Sequence, residues 1–340
     1  MPKIAINGFG RIGRQFFRVA LTKNQHKNNI IAVNDLTDAK TLAHLLKFDT
    51  TYGALPNEIS GEALQERDFK GRIHVDDYEL QVLAQSDPAK LPWKELGIEI
   101  VIESSGRFTK IEDAKKHLDA GAKKVIITAP SKSEGVKTIV LGVNQDKVEK
   151  SDRIISMASC TTNCITPVMA VLDEVFGVEK AFMTTVHSYT ADQNLQDGPH
   201  KDLRRARAAA ANIVPTTTGA AQATIKALPN LVDKFDGLAI RVPVISGSIS
   251  DITALLKKST TVEEINKAFE TAEKETRYKD ILVTSKEPLV SSDIIANPAS
   301  TIIDLELTRV IQGNLVKVVA WYDNEWGYST RLLELCEQIF

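Results

Sequence analysis

Apolar and polar positions alternate along the first half of the chain in two recurring patterns. Short apolar runs are typical of buried strands and occur at residues 3–7, 30–34, 98–102 and 125–128. Between or beside these runs, apolar residues have the spacing of helices at residues 15–23, 39–48 and 111–120. A hairpin is predicted at 72–83, where Asp76-Asp77 supplies the turn. Strands that alternate with helices predict an α/β domain with a doubly wound parallel sheet.

The pattern changes after about residue 152. Longer strands with short connections are predicted at residues 180–188, 238–245, 248–257, 307–311 and 315–322. A helix follows Thr260 or Thr261, either of which could act as its cap, and a last helix covers 325–340. The polar segment 191–211 has no clear periodicity, which is typical of a functional or interface loop. This half predicts an α+β domain with a largely antiparallel sheet.

Composition narrows the class of function. With 42 Lys and Arg against 44 Asp and Glu, the net charge of -2 gives no reason to expect nucleic acid as the main partner. An apolar run of about 18 residues, which a membrane helix needs, is missing, so no membrane partner is expected. Three cysteines suit a reducing compartment better than a disulfide framework and lack zinc-site spacing, so we expect a cytoplasmic protein without a metal. The first strand begins at residue 3 and leaves no room for a signal peptide.

A glycine loop follows the first strand and opens the first helix. Its glycines are Gly8, Gly10 and Gly13, and Asp35 ends the next strand. This context is the dinucleotide-binding fingerprint, with the pyrophosphate on the helix N-terminus and the ribose hydroxyls on the carboxylate. A carboxylate there would repel a 2′-phosphate, which favours NAD over NADP; the alternative is a glycine turn without a ligand. We therefore expect an NAD-binding domain at 1–158, completed by the helix 325–340, and a catalytic domain at 159–324.

Cys160 lies where an apolar strand, 154–158, gives way to a predicted helix at 165–176. Free backbone N–H groups at a helix start favour the thiolate, which is the nucleophilic form of cysteine. The alternative is a small buried apolar residue, which is the common role of a free cysteine. His187 ends the strand 180–186 and is a candidate base for Cys160, although an isolated histidine is more often structural.

Six segments make the chain similar to the phosphorylating glyceraldehyde-3-phosphate dehydrogenases over nearly its whole length. They are 7–14 (NGFGRIGR), 103–108 (ESSGRF), 158–164 (ASCTTNC), 200–207 (HKDLRRAR), 218–221 (TGAA) and 321–328 (WYDNEWGY). The resemblance implies NAD-dependent oxidative phosphorylation of glyceraldehyde 3-phosphate to 1,3-bisphosphoglycerate, in glycolysis or gluconeogenesis. It also implies a thiohemiacetal and a thioester on the cysteine, and a homotetramer.

The resemblance also assigns roles to individual residues. Cys160 would be the nucleophile, and His187 its base and later its acid. NAD would contact the loop glycines together with Arg11, Ile12, Asp35, Thr128 and Asn324. The substrate phosphate would be held by Thr190 and Arg241. The site for inorganic phosphate would contain Ser159, Thr161, Thr218 and Gly219, with Arg205 also near the anions. Either arginine could instead form an ordinary ion pair, and Thr218 could be a helix cap.

The chain departs from the family pattern at three places. Ser86 replaces an arginine near the adenine, Gly198 stands where many NAD-specific members have leucine, and 244–250 (VISGSIS) replaces a Thr-Pro-Asn segment. Two other functions remain open. An erythrose-4-phosphate dehydrogenase would share the fold, nucleophile and cofactor, although 204–207 and 216–221 are of the glyceraldehyde type. A non-catalytic NAD- or RNA-binding module is disfavoured by Cys160 and His187 being present together.

Overall fold

The computed structural model describes residues 2–23, 29–64 and 69–339, which form two compact units. Unit 1 comprises Met1–Ile139, Lys147–Ala158 and Leu332–Phe340, and unit 2 comprises Val140–Asp146 and Ser159–Arg331. This division differs from the expected domains in two segments. The short stretch Val140–Asp146 belongs to unit 2, and only the last part of the terminal helix belongs to unit 1.

Unit 1 contains a nine-stranded sheet in the order β3-β4-β5-β2-β1-β6-β7-β9-β8. Its strands are β1 (Ile4–Asn7), β2 (Ile30–Asn34), β3 (Ile59–Ala63), β4 (Gly71–Val75), β5 (Tyr78–Leu83), β6 (Ile100–Glu103), β7 (Lys124–Ile127), β8 (Lys137–Thr138) and β9 (Ile154–Ser156). Every neighbouring pair from β5 to β8 is parallel, whereas β3, β4 and β5 are antiparallel. The fully buried strands β1 and β6 each begin with three apolar residues, because both faces of a parallel sheet are covered.

The helices that accompany this sheet in the described part of unit 1 include α1 (Arg11–Thr22), α2 (Ala39–Lys47), α3 (Trp93–Leu96) and α4 (Ile111–Asp119). Strand β2 lies on one side of β1 and β6 lies on the other, so the order of the strands reverses at β1. Ligands of open α/β sheets bind at such a reversal, beyond the carboxyl ends of the strands. The Asp76-Asp77 turn lies between β4 and β5 as predicted, with Asp76 at φ 54°.

Unit 2 contains a second sheet in the order β11-β12-β10-β13-β17-β15-β14, with β16 paired to β17. Its strands are β10 (Val178–Ser188), β11 (Val214–Thr217), β12 (Phe235–Val242), β13 (Ser248–Leu256), β14 (Leu282–Ser285), β15 (Thr301–Asp304), β16 (Arg309–Ile311) and β17 (Leu315–Tyr322). Most pairs are antiparallel, but β10 pairs with β12 in parallel and β14 pairs with β15 in parallel. The predicted α/β plus α+β organisation is therefore confirmed.

Three helices of unit 2, α5 (Cys160–Phe176), α6 (Ala220–Ala227) and α7 (Val262–Ala272), contribute to one apolar core with the inner face of the sheet. The predicted capping box begins α7, with Thr261 rather than Thr260 as the cap and Glu264 as its partner. The last helix, α8 (Trp326–Gln338), begins where Asp323 accepts the N–H groups of residues 325 and 326. No helix within the described ranges is long and apolar enough to cross a membrane.

Several predicted boundaries were wrong for identifiable reasons. Helix α5 begins at Cys160 rather than at residue 165, because Ser159 caps it through the Thr162 N–H at 3.1 Å. Strand β12 ends before Pro243, which has no N–H to donate to a sheet. The strand predicted at 307–311 is shortened to β16, because residues 305–307 form a 3-10 turn. The Leu305 carbonyl oxygen of this turn accepts a hydrogen bond from Asn266 Nδ2.

Candidate active site

The first residue of α5 and a residue near the end of β10 form the centre of the candidate site. The Cys160 sulfur lies 3.4 Å from His187 Nε2. Ser159 turns the chain into the helix, and Ala158 before it has φ 53°, which is unusual for a residue other than glycine. Cysteine and histidine are therefore within hydrogen-bonding reach, which their separation of 27 positions in the sequence could not establish.

The position of the proton on His187 follows from its second nitrogen. His187 Nδ1 lies 2.7 Å from the carbonyl oxygen of Ser188, which can only accept. Arg241 Nη1 is also near Nδ1, but at the longer distance of 3.3 Å, and it is 3.2 Å from the same carbonyl oxygen. The shorter contact assigns the hydrogen to Nδ1. This leaves the lone pair of Nε2 directed at the Cys160 thiol, as a general base requires.

Burial controls the charges of this pair. Cys160 keeps partial exposure, yet enclosure by protein raises the pKa of its thiol to about 11, and Arg241 and the Thr161 N–H lower it by less. Burial, reinforced by Arg241, lowers the pKa of His187 to about 3. The helix-start N–H groups and Arg241 favour the thiolate, as expected, but burial acts in the opposite direction on the pKa of Cys160 and outweighs them. The resting thiolate stays a prediction.

Cationic and hydroxyl groups lie beside this pair because the strand register brings them there. His187 of β10 is opposite Arg241 of the parallel strand β12. Arg241 Nη1 donates to Thr190 Oγ1 at 2.9 Å. Arginine and threonine side chains that converge in this way are suited to bind a phosphate.

Asp192 joins Arg205 to this group and was not found from the sequence. Its carboxylate accepts short hydrogen bonds from Thr190 Oγ1 and Arg205 Nη1. Burial acts to raise the pKa of Asp192, but the Thr190 hydrogen bond and the charges of Arg241 and Arg205 lower it overall. Arg205 thus has an ion-pair partner, as the alternative interpretation allowed. It also donates to the Thr217 carbonyl, directly before Thr218.

The four residues expected at a second phosphate site have structural contacts of their own. Ser159 caps α5, and the Thr218 hydroxyl accepts the Ala220 N–H at 3.2 Å at the start of α6, where Gly219 is the cap position. Thr161 Oγ1 is 2.8 Å from the Tyr322 hydroxyl. Both helix starts keep backbone N–H groups that an anion could use.

Tyr322 is a further buried residue of the site that sequence reasoning missed. Its hydroxyl lies 2.8 Å from both Thr161 Oγ1 and Thr185 Oγ1, and its ring meets His187 edge-on with centroids 6.0 Å apart. Burial raises the pKa of Tyr322, so it stays a neutral phenol. The only sequence signal was a tyrosine at the end of an apolar strand, which is equally typical of an ordinary core position.

Asn324 is a buried residue that lies two positions after the end of β17, directly after Asp323. Its Oδ1 lies 3.0 Å from Ser188 Oγ and 2.9 Å from Ser248 Oγ. The serine next to His187 therefore also contacts this amide. The sequence had suggested Asn324 as a cofactor contact without indicating what holds it.

The predicted glycine loop of unit 1 has the conformation that a dinucleotide requires. Gly8 has φ 95°, and a Cβ there would lie 2.5 Å from the Ser105 N. A Cβ at Gly13 would lie 2.3 Å from the Gly8 carbonyl oxygen, whereas Gly10 faces open space. None of the described side chains caps α1 at Gly10, so the helix N-terminus can receive a pyrophosphate.

A cavity of about 270 Å³ lies over this loop. Asp35 lines it and accepts the N–H groups of Phe9 at 2.9 Å and Thr37 at 3.0 Å. Ser86 also lines it, which places the departure from the family pattern in the cavity. The Arg11 side chain pairs with Asp49 at 2.6 Å, and Thr128 follows β7 with its hydroxyl on the Glu103 carbonyl. The loop, the carboxylate and the open helix start fit NAD.

A buried hydrogen-bond chain lies beneath this loop. Trp93 Nε1 donates to His117 Nδ1 at 3.0 Å, and His117 Nε2 lies 3.0 Å from Glu103 Oε2. Glu103 also accepts the Asn7 amide and both the N–H and the hydroxyl of Ser105. Because an indole can only donate, His117 Nδ1 must accept and Nε2 must donate to the carboxylate.

The other end of this chain is fixed by main-chain groups. Asn34 Nδ2 donates to the Gln85 carbonyl and Asn34 Oδ1 accepts the Gln85 N–H, both at 2.8 Å. Asn34 Nδ2 also donates to Asn7 Oδ1, which leaves the Asn7 amide nitrogen to donate to Glu103. The orientation of every polar group is therefore set from both ends.

Comparison with known proteins agrees with both halves of this description. Residues 2–111 match the family model of the glyceraldehyde 3-phosphate dehydrogenase NAD binding domain, and 159–324 match that of its C-terminal domain. The chain is 55% identical over 337 residues to a glyceraldehyde-3-phosphate dehydrogenase of Mycobacterium avium, covering 98% of this chain and 97% of that protein. Proteins of the same name from Mycolicibacterium smegmatis and Streptomyces coelicolor are 54% and 53% identical, with the same coverage.

Proposed function

The chain belongs to the glyceraldehyde-3-phosphate dehydrogenase family, and on that premise we propose that Cys160 and His187 carry out its NAD-dependent oxidation of glyceraldehyde 3-phosphate. The observation that carries this proposal is the 3.4 Å contact between the Cys160 sulfur and the His187 Nε2 lone pair. An NAD- or RNA-binding module without catalysis would have no need of a thiol and a base in this arrangement.

The chemistry follows from the protonation of the pair. The Cys160 sulfur adds to the aldehyde carbon, and its proton passes by way of His187 to the aldehyde oxygen, which gives a thiohemiacetal. His187 Nε2 then takes the hydroxyl proton while the carbon loses a hydride and becomes a thioester. NAD, when bound, accepts that hydride. Inorganic phosphate next attacks the thioester carbon, the C–S bond breaks, and the acyl phosphate leaves with Cys160 restored.

Two sets of anion-binding groups suit the two phosphates of this reaction. We assign the substrate phosphate to Arg241 and Thr190, whose side chains converge beside His187. The inorganic phosphate is assigned to the helix starts at Ser159 to Thr161 and at Thr218 to Gly219, with Arg205 nearby. Arg205 and Asp192 form an ion pair that a phosphate would have to compete with.

The contacts to NAD are proposed for each unit by itself. In unit 1 the N–H groups of Gly10 to Gly13, including those of Arg11 and Ile12, would hold the pyrophosphate, and Asp35 the ribose hydroxyls. Thr128 is assigned to the same carboxyl edge of the sheet. In unit 2 the Asn324 amide, beside the strand that carries the base, suits the carboxamide of nicotinamide.

A homotetramer is supported by the outer face of the unit 2 sheet. Ala181 and Met183 of β10 point into the core, and Phe182 between them is 70% exposed on the opposite face. Leu238 on β12 is exposed too, and the register places it opposite Thr184, two residues from Phe182 on β10. An apolar patch of this kind is typical of an interface.

The cysteines indicate the compartment. The free thiols of Cys160, Cys164 and Cys336 suit the reducing cytoplasm.

The deciding assay measures NADH formation from glyceraldehyde 3-phosphate with and without inorganic phosphate, repeated with erythrose 4-phosphate and with NADP. We expect phosphate-dependent turnover that prefers the triose and NAD. Cys160→Ala should abolish turnover while NAD still binds, and His187→Asn should lower kcat about 10²- to 10⁴-fold. Near-normal turnover of Cys160→Ala would overturn the assignment, and faster oxidation of erythrose 4-phosphate would favour the alternative substrate.

A further inference from the structure

The segment 244–250, which departs from the family pattern, supplies buried hydroxyls to unit 2. Ser246, Ser248 and Ser250 are each at most 1% exposed. Gly247 between the first two has φ 85°, and a Cβ there would lie 2.2 Å from the Ser291 carbonyl oxygen. The turn is thus built around a glycine, and it leads into β13 with the Ser248 side chain facing inward.

Ser248 and Ser188 hold the same atom of Asn324. The Ser188 N–H donates to Ser248 Oγ at 3.2 Å, so the hydroxyl proton of Ser248 is left to donate to Asn324 Oδ1 at 2.9 Å. The Ser188 hydroxyl donates to the same Oδ1 at 3.0 Å. All three side chains are buried, with exposures of 0% for Ser188, 1% for Ser248 and 4% for Asn324.

These bonds determine which way the amide of Asn324 points. In the structure the amide oxygen faces both hydroxyls and accepts from them, and Ser248 Oγ already accepts the Ser188 N–H, which favours its acting as the donor to Asn324. The nitrogen therefore lies on the other side of the side chain, and within the described residues Asn324 Nδ2 has no acceptor. The residue is 4% exposed, and its amide nitrogen is not among the fully enclosed polar atoms, so this N–H₂ group is both unpaired and open to a ligand.

The neighbours of this donor indicate its ligand. Ser188, which holds Asn324 through its hydroxyl, holds His187 Nδ1 through its carbonyl oxygen at 2.7 Å. The group that accepts hydride must reach the carbon bound to Cys160, and in NAD that group carries a carboxamide. We propose that Ser188 and Ser248 are positioning residues that keep the Asn324 N–H groups directed at the carboxamide of NAD. This inference rests on the proposed contact between Asn324 and NAD.

The test compares NAD with ADP-ribose, which has the same adenosine, pyrophosphate and ribose but no nicotinamide. Both are titrated calorimetrically into the full-length protein and its variants. Ser188→Ala and Ser248→Ala should each weaken NAD binding about 3- to 10-fold, the range of one hydrogen bond, and leave ADP-ribose binding unchanged. Retained ADP-ribose binding shows that unit 1 of a variant is folded, and circular dichroism with thermal unfolding checks unit 2. A merely structural role would change the ratio of the two affinities equally in a variant that loosens the same segment without touching Asn324.

Ser246→Ala is the matched control. Ser246 is as buried as Ser248, but its hydroxyl donates to Asp323 Oδ1 at 3.3 Å and not to Asn324. We expect this variant to keep the ratio of NAD to ADP-ribose affinity. An equal change of that ratio in Ser246→Ala and Ser248→Ala would overturn the inference, because it would trace the effect to general loosening of the segment.

Asn324 variants separate this inference from the proposed function. Asn324→Asp keeps an acceptor for both serines but has no N–H, so NAD binding should weaken while ADP-ribose binding persists. Ser248→Ala should add nothing further in that background. If Asn324→Asp leaves the affinity ratio unchanged, the assigned NAD contact is wrong. If it changes the ratio and neither serine variant does, only the positioning role of the serines is wrong.

Discussion

Glu103→Gln is a stringent test of the buried hydrogen-bond chain beneath the glycine loop. Glu103 is 2% exposed, and its two oxygens accept four hydrogen bonds, two each. Oε2 accepts from His117 and Asn7, and Oε1 accepts the Ser105 N–H and hydroxyl. An amide offers one oxygen and one nitrogen, so one of these pairs of donors must face an N–H₂ group.

The less costly orientation can be identified from the partners. If the nitrogen replaced Oε2, it would face the His117 N–H and the Asn7 N–H₂, which are fixed from the two ends of the chain. If it replaced Oε1, the Ser105 hydroxyl could rotate to accept, and only the Ser105 N–H would lose its acceptor. An unsatisfied donor costs about 1–3 kcal/mol, and weaker bonds to a neutral oxygen add about 1 kcal/mol. We expect a total loss of about 2–4 kcal/mol.

Hydrogen exchange of peptides from β1 and β6, read by mass spectrometry, measures this loss locally and avoids assuming that both units unfold together. The expected loss corresponds to exchange about 30- to 1,000-fold faster in Glu103→Gln. Glu112→Gln, on the exposed side of α4, is the matched control and should change exchange by less than about threefold. Equal exchange in the two variants would refute the conclusion that an amide at position 103 leaves a buried donor without an acceptor.

Three further outcomes are expected. Gly8→Ala should destabilise the protein, because the positive φ of Gly8 and the contact of an added Cβ with Ser105 are both unfavourable. Gly10→Ala should keep the melting temperature and weaken NAD binding. The reverse result would contradict the loop geometry. Alkylation of Cys160 by iodoacetamide in the NAD-free protein should accelerate with pH towards about 11, since only the thiolate reacts, and a plateau already at pH 6 would disprove the raised pKa. Phe182→Glu should reduce the mass found by light scattering below that of the wild type, and an unchanged mass would remove this face from the interface.

Local patterns were enough to predict most elements that position the site. The strand, glycine loop and helix near Gly8, the acidic end of β2 at Asp35 and the capping box at Thr261 all depend on residues close together in sequence. Cys160 at a helix start and His187 near a strand end were likewise predicted from their neighbours. These predictions succeeded because capping, turns and periodicity act over a few residues.

Interactions between distant segments could not be predicted in this way. Tyr322 meets Thr161 and Thr185 across separations of 161 and 137 residues. The pKa of Cys160 also depends on distant segments: the helix start is a local feature, but Arg241 and the burial that raises the pKa are supplied by the fold. The second serine of the 244–250 segment became meaningful only when the fold placed it beside Asn324.

The interleaving of the two units sets an order for folding during synthesis. All of unit 2 precedes Leu332 in the chain, whereas unit 1 needs Leu332–Phe340 as its last segment. Leu333 and Leu335 of that segment are buried, and Glu334 pairs with Lys23 of α1 at 3.1 Å. During synthesis the whole of unit 2 is therefore made before the last segment of unit 1. The unit that is made first is the one that finishes folding last.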